Sequence, residues 1–225
     1  MSNYYEENLN SVKLFQVYQT KYQRIKRYFN EEIVFIQKNL SKNDKVLEIG
    51  AGYGRIIKEL GPFSASVVGI DISQASVDLG KDYIKECTNC EIKVMDAYNL
   101  EFSEEDFDVV LCLQNGLSAI KGESTHLINE CLKVLKPGGK AYFSTYSDKF
   151  WEHRLAWFQE QADNGLLGEI DFEKTKNGMI ACKDGFVSTS FSKDELIKLG
   201  ELSGCQYYIE EVDEASIFLI IEKPN

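Results

Sequence analysis

Hydrophobic and polar positions follow two rhythms along this chain. Between Leu14 and Leu40, the apolar residues Leu14, Tyr18, Tyr22, Ile25, Phe29, Ile33, Ile36 and Leu40 recur in steps of three and four. That spacing places them on one face of an amphipathic helix, or of two consecutive helices. From Val46 onward, short apolar runs alternate with stretches of helical period. The runs Val46–Ile49, Ser66–Asp71, Glu91–Met95, Asp108–Leu113 and Lys140–Tyr146 read as strands. The stretches Tyr53–Leu60, Ser73–Glu86 and Glu123–Leu135 read as helices, the first stopped by Gly61-Pro62 and the second capped by Ser73. A last helix, Lys193–Ser203, has Ser192 at its N-cap, and two closing strands, Gln206–Val212 and Ser216–Glu222, are joined by a link short enough to make them antiparallel. Strands alternating with helices predict an α/β domain on a seven-stranded, mostly parallel sheet, with helices on both faces and the last strand antiparallel.

Two segments stand outside that alternation. Residues 1–40 are expected to form a helical lid ahead of the main domain, 41–225. Residues 163–191 carry Gly165, Gly168, Gly178 and Gly185, with Lys183-Asp184-Gly185 as a hairpin signal, and predict a small β insertion.

The chemistry concentrates where the first strand ends. Val46-Leu47-Glu48-Ile49 runs into Gly50-Ala51-Gly52-Tyr53-Gly54-Arg55. Glycines there admit positive φ and let a ligand approach the main chain, while the following helix presents unpaired N–H groups. The spacing is not the dinucleotide G-x-G-x-x-G pattern, since the third glycine comes one residue early, and no phosphate-cradling G-x-x-x-x-G-K-[ST] follows. Asp71 ends the second strand, positioned to take a ribose diol, and Asp96 follows the third. Three carboxylates at neighbouring strand ends would repel a pyrophosphate and favour a nucleoside carrying a positive charge.

Glu48-x-Gly50-x-Gly52-x-Gly54, Asp71, Asp96-Ala97 and the later Leu135-Lys136-Pro137-Gly138-Gly139-Lys140 resemble the class I S-adenosylmethionine-dependent methyltransferases, most strongly over residues 44 to 146. The resemblance implies a Rossmann-like fold and S-adenosyl-L-methionine as cofactor. It implies cofactor contacts from Glu48, Gly50, Ala51, Gly52, Gly54, Asp71, Ile72, Asp96, Ala97 and Leu113. It also places Gln114 and Asn115, at the tip of strand four, beside the transferring methyl group, where their amides can orient an acceptor through hydrogen bonds. Asn115-Gly116 reads equally well as a plain turn. The Pro-Pro that follows this tip in enzymes acting on nucleic-acid bases is missing; the chain has only Pro62, Pro137 and Pro224.

Aromatic residues suggest the acceptor side. Tyr5, Tyr18 and Tyr22 in the lid could close over the site, and Tyr146, Trp151 and Arg154 leave the carboxyl end of strand five, where α/β folds bind ligands. Such residues would suit an amine through its charge, or a phenol or thiol through stacking, and Arg154 would suit a carboxylate.

Composition narrows the partners. The 225 residues carry 25 Lys and Arg against 36 Asp and Glu, a net charge of −11, which argues against a polyanionic partner. No apolar run approaches the roughly 20 residues that a membrane helix needs. No basic, apolar leader opens the sequence, so cytoplasm is the expected compartment. Six cysteines there should be reduced, Cys87 and Cys90 being read as two thiols flanking a loop. The two histidines, His126 and His153, are isolated, and no metal site is expected. The reading is methyl transfer from S-adenosylmethionine to a small molecule. A non-catalytic protein on the same fold is the alternative, and a nicotinamide-dependent oxidoreductase the remoter one.

Overall fold

The protein is described by a computed structural model over residues 11–225. Seven strands form one sheet: β1 (Lys45–Ile49), β2 (Ser66–Asp71), β3 (Cys90–Val94), β4 (Phe107–Cys112), β5 (Leu135–Tyr146), β8 (Gln206–Val212) and β9 (Ser216–Glu222). Their order is β3-β2-β1-β4-β5-β9-β8. The pairs from β3 through β5 are parallel, whereas β9 runs antiparallel to both of its neighbours, so β9 alone is reversed. Central β1 sets the register, with Leu47 opposite Val68 on one side and Val110 on the other.

Period-two alternation sorts the strand residues onto two cores. Leu47, Ile49, Val68, Ile70, Val110 and Phe143 pack on one face, beneath α6 (Ser124–Val134) and α8 (Lys193–Leu202), with α5 (Gly116–Ala119) beside them. Val46, Val67, Val109, Leu111 and Tyr142 pack on the other, against α2 (Gln23–Lys38), α3 (Arg55–Leu60) and α4 (Gln74–Tyr83). A third, aromatic cluster joins Tyr28 and Phe29 of α2 to Phe150, Trp157 and Phe158 of α7 (Trp151–Asp163) and its approach. It roofs the carboxyl end of the sheet.

Several expectations are refined. The amphipathic N-terminal stretch breaks into α1 (Ser11–Val17) and α2, because the intervening turn is tied elsewhere: the Thr20 hydroxyl and the Lys21 N–H both donate to the Glu160 carboxylate on α7. Strand five starts at Leu135 rather than Lys140, since Gly138 and Gly139 keep pairing with Lys223 past a bulge opposite Phe107 and Val109. The insertion contributes two short antiparallel strands, β6 (Ile180–Ala181) and β7 (Val187–Ser188). Cys87 and Cys90 are not two free thiols but a disulfide. The Cys90 N–H donates to the Cys87 carbonyl across a tight turn, which brings the two Cα atoms to 5.3 Å. Tyr5 lies outside the described residues.

Leu47 is fully buried on the central strand. Leu47→Ala should lower unfolding free energy by about 2–5 kcal/mol, read as a lower urea midpoint at unchanged m-value.

Candidate functional site

The chain turns sharply after β1, and that turn builds the site. Gly52 takes φ +57°, and a Cβ there would lie 2.7 Å from the Leu14 Cδ2 of α1, so both the backbone conformation and the close approach call for glycine. Across the turn, the Asp71 carboxylate at the end of β2 accepts the Gly52 N–H and the Ser73 N–H, each at 2.9 Å. Ser73 caps α4 through the Ser76 N–H, and the Ser76 hydroxyl accepts the Ser11 N–H, which docks α1 over the turn.

A cavity of about 340 Å³ opens at these strand ends. Of the residues expected to hold a cofactor, Glu48, Gly50, Ala51, Gly52, Asp71, Ile72, Asp96, Ala97 and Leu113 line it. Gly54 does not; it takes φ +81° beneath the turn, against Ile84. Of the acceptor candidates, Gln114, Tyr18 and Tyr146 line the cavity. Asn115 is buried and engaged: its Oδ1 accepts the Thr145 hydroxyl at 2.8 Å and its Nδ2 donates to the Thr189 carbonyl at 2.7 Å. Tyr22 sits at the exposed start of α2 beneath Lys21. Trp151 and Arg154 face a second hollow that shares Tyr146 with the first. Arg154 is buried there, donating to the Gly178 and Ser188 carbonyls and stacking over Tyr146, which ties α7 to the insertion.

Sequence reasoning did not single out Arg55, Trp157, Phe158, Gln161 or Phe186, all of which line the cavity. Arg55 follows the glycine turn directly, so its position was a usable signal. The others come from α7 and the insertion, more than a hundred residues away in the chain.

Electrostatics centres on Glu48. The side chain is buried and its Oε2 has no hydrogen-bond partner. Burial lifts its pKa to about 8; Arg55 opposes the rise, Asp71 adds to it, and the Ile57 N–H in the first turn of α3 opposes it slightly. The Arg55 guanidinium in turn stacks 4.5 Å from the Tyr18 ring centroid and 5.2 Å from that of Phe29. Among the described residues lining the cavity there is no histidine or cysteine, and no metal-ligand cluster occurs among the described residues.

Residues 46–139 match the family profile described as a methyltransferase domain. The ubiquinone biosynthesis O-methyltransferase of Coxiella burnetii (strain Dugway 5J108-111) is 29% identical over 117 residues, 48% of this chain and 46% of that protein. The chain thus matches about half the length of such curated relatives. Among solved structures, the PH0226 protein from Pyrococcus horikoshii OT3 superposes with a TM-score of 0.68 at 21% identity, and the N-methyltransferase NodS from Bradyrhizobium japonicum WM9, in complex with S-adenosyl-L-homocysteine, with 0.63 at 15%. Both cover all of each chain. The chain thus carries a methyltransferase domain over residues 46–139 and is similar to S-adenosylmethionine-dependent methyltransferases. S-adenosylmethionine is the cofactor that this similarity supports, and the site fits it. The cavity pairs a glycine turn with carboxylates and with an unpartnered buried carboxyl oxygen that a cationic ligand can satisfy.

The sign of the pH dependence follows. With a folded pKa of about 8 against the ordinary 4.5, Glu48 keeps its proton in the folded chain where the unfolded chain has lost it, so its contribution to stability falls from about pH 4.5 to 8 and is constant above. Glu48→Gln should therefore raise the melting temperature of the ligand-free protein at pH 8, by about 2–4 °C for each kcal/mol relieved. In the wild type, binding the ammonium-bearing S-adenosylhomocysteine at pH 7 should expel a proton, so the calorimetric heat varies with the buffer's ionisation enthalpy. Glu48→Gln should remove that variation.

Proposed function

We propose that this chain transfers the methyl group of S-adenosylmethionine to a hydroxyl oxygen of a small, planar acceptor. The observation that carries the oxygen assignment is the Gln114 side chain. It lines the cavity beside Leu113, and its Nε2 is a buried donor without a partner. An acceptor oxygen has two lone pairs, one to attack and one to receive the Gln114 N–H. An amine nitrogen has a single lone pair and would have to give it up to that donor. The similarity to ubiquinone biosynthesis O-methyltransferases points to the same reaction class.

The walls suit a planar body. Tyr18, Tyr146, Trp157 and Phe158 line the cavity and give it aromatic walls against which a planar body packs. When bound, the cofactor supplies a methyl group on a positively charged sulfur, a leaving group that needs no acid. The protein then has to align the acceptor and exclude water. Gln114 orients the nucleophilic oxygen, the aromatic roof keeps solvent out, and Asp71 and Glu48 take the polar ends of the cofactor. No helix among the described residues is long and apolar enough to cross a membrane.

The test has two stages. Calorimetry should show S-adenosylhomocysteine binding and no NAD⁺ binding, with Asp71→Ala weakening the former by about 10- to 100-fold. NAD⁺ binding alone would overturn the cofactor. Methyl transfer from labelled S-adenosylmethionine should then be found with catechols or phenols and not with matched amines. Gln114→Ala should lower kcat/KM for that acceptor by about 10- to 100-fold while leaving S-adenosylhomocysteine affinity in place.

A further inference from the structure

Cys87 and Cys90 are bonded across the turn that links α4 to β3, and both are half-buried. The loop they close spans a sequence separation of only 3, and so short a loop removes little entropy from the unfolded chain. The bond is therefore a weak staple for the fold. A disulfide that thiols in solution can reach, and that stabilises little, is of the exchangeable kind rather than the structural kind. Cys112, Cys131, Cys182 and Cys205 are free, the first three buried.

The surroundings of the pair tie it to the glycine turn. The two sulfurs press on the end of α3: a Cβ on Gly61 would lie 2.5 Å from Cys87 Sγ and 2.8 Å from Cys90 Sγ, and Cys90 Sγ is 3.6 Å from the Ile57 carbonyl oxygen. Gly61 is held in place, because its carbonyl accepts the Asn89 side-chain amide at 2.9 Å, and the same nitrogen reaches the Ser64 and Ala65 carbonyls at 3.2 and 3.3 Å. Ile84, just ahead of Cys87, and Ile92, just beyond Cys90, are both buried. A Cβ on Gly54 would lie 3.0 Å from Ile84 Cγ2 and 3.8 Å from Ile92 Cδ1. These two side chains are the floor beneath the third glycine of the turn. The Gly54 N–H in turn donates to the Ala51 carbonyl at 2.9 Å, and Ala51 lines the cavity.

Reduction acts at one end of this line of contacts. A dithiol attacks one sulfur, the S–S bond breaks, and the reductant's second thiol closes its own disulfide. Cys87 and Cys90 gain two electrons and two protons between them. Their sulfurs then stand at non-bonded distance and carry hydrogens, so they need more room, with Gly61 fixed against them. That room comes from the ends of α4 and β3, which part and draw Ile84 and Ile92 away from Gly54.

We propose that the Cys87–Cys90 pair is a redox site that exchanges with dithiols, and that its reduction loosens the glycine turn and weakens ligand binding in the cavity above it. The oxidised chain is the tight form. The acceptor has no part in this; only the affinity arm rests on the reading that the cavity takes the S-adenosyl cofactor.

The test compares the full chain, oxidised and treated with dithiothreitol in the absence of denaturant. Alkylation and mass spectrometry should find Cys87 and Cys90 labelled in the folded, reduced protein while Cys112, Cys131 and Cys182 stay protected. Oxidised glutathione, leaving as two glutathiones, should restore the bond. The Gly54 backbone amide should shift between the two states in ligand-free spectra, and the calorimetric Kd for S-adenosylhomocysteine should rise about 5- to 10-fold on reduction. The doubly substituted Cys87→Ser, Cys90→Ser protein should show the reduced-state amide and affinity under both conditions. If that variant does not fold, the wild type in its two states carries the test alone. A bond that dithiothreitol opens only in denaturant, or a Gly54 amide or an affinity that is unmoved once the bond is open, overturns the proposal. S-adenosylhomocysteine binding to neither state would sink the cofactor reading instead, and the Gly54 amide would still decide the role of the pair.

Discussion

One guanidinium faces two buried carboxyls at the carboxyl end of this sheet, and much of the site depends on that imbalance. Arg55 opposes the burial penalty on both Glu48 and Glu32, yet it cannot hold both ionised near neutrality. Its own position is set by the aromatic rings of Tyr18 and Phe29, which belong to the N-terminal helical segment. That segment, the glycine turn and the sheet are therefore coupled electrostatically as well as by packing. A cationic ligand relieves the imbalance, because it supplies the charge that the protein leaves short.

The same region shows how rigid and adjustable parts are divided. The glycine-turn side is built from short-range bonds: Asp71 spans the turn after β1 and the start of α4 through two backbone N–H groups. The aromatic side is assembled from distant pieces. The Trp157 indole donates to the Val17 carbonyl, Thr20 and Lys21 hold Glu160, and Arg154 gathers the insertion against α7. A change in α7 or the insertion therefore leaves the Asp71 tie untouched.

Fold class and the strand ends that line the cavity were legible in the chain because their determinants are local. Alternation of apolar residues marks a strand wherever it lies, and Gly50, Gly52 and Gly54 report a turn whose backbone conformation few other residues tolerate. Asp71 and Asp96 could be placed because each directly follows a strand. The start of β5 was read five residues late, since Pro137-Gly138-Gly139 looks like a turn, and only the partner Lys223 shows that pairing continues through it.

What the sequence by itself determined is the parallel α/β sheet, its reversed last strand and the carboxylate-lined glycine turn, all set by residues adjacent in the chain. Tertiary structure alone decided which side chains share the cavity. Arg154 read as a substrate-side group and is a buried anchor of the insertion, Tyr22 read as a lid residue and lies exposed, and Glu32, which no pattern singled out, is buried. Helical spacing shows which face of a helix is buried but not what it is buried against. The hydrogen-bond partner of Glu32, Ser216, is 184 residues away, beyond the reach of any local pattern.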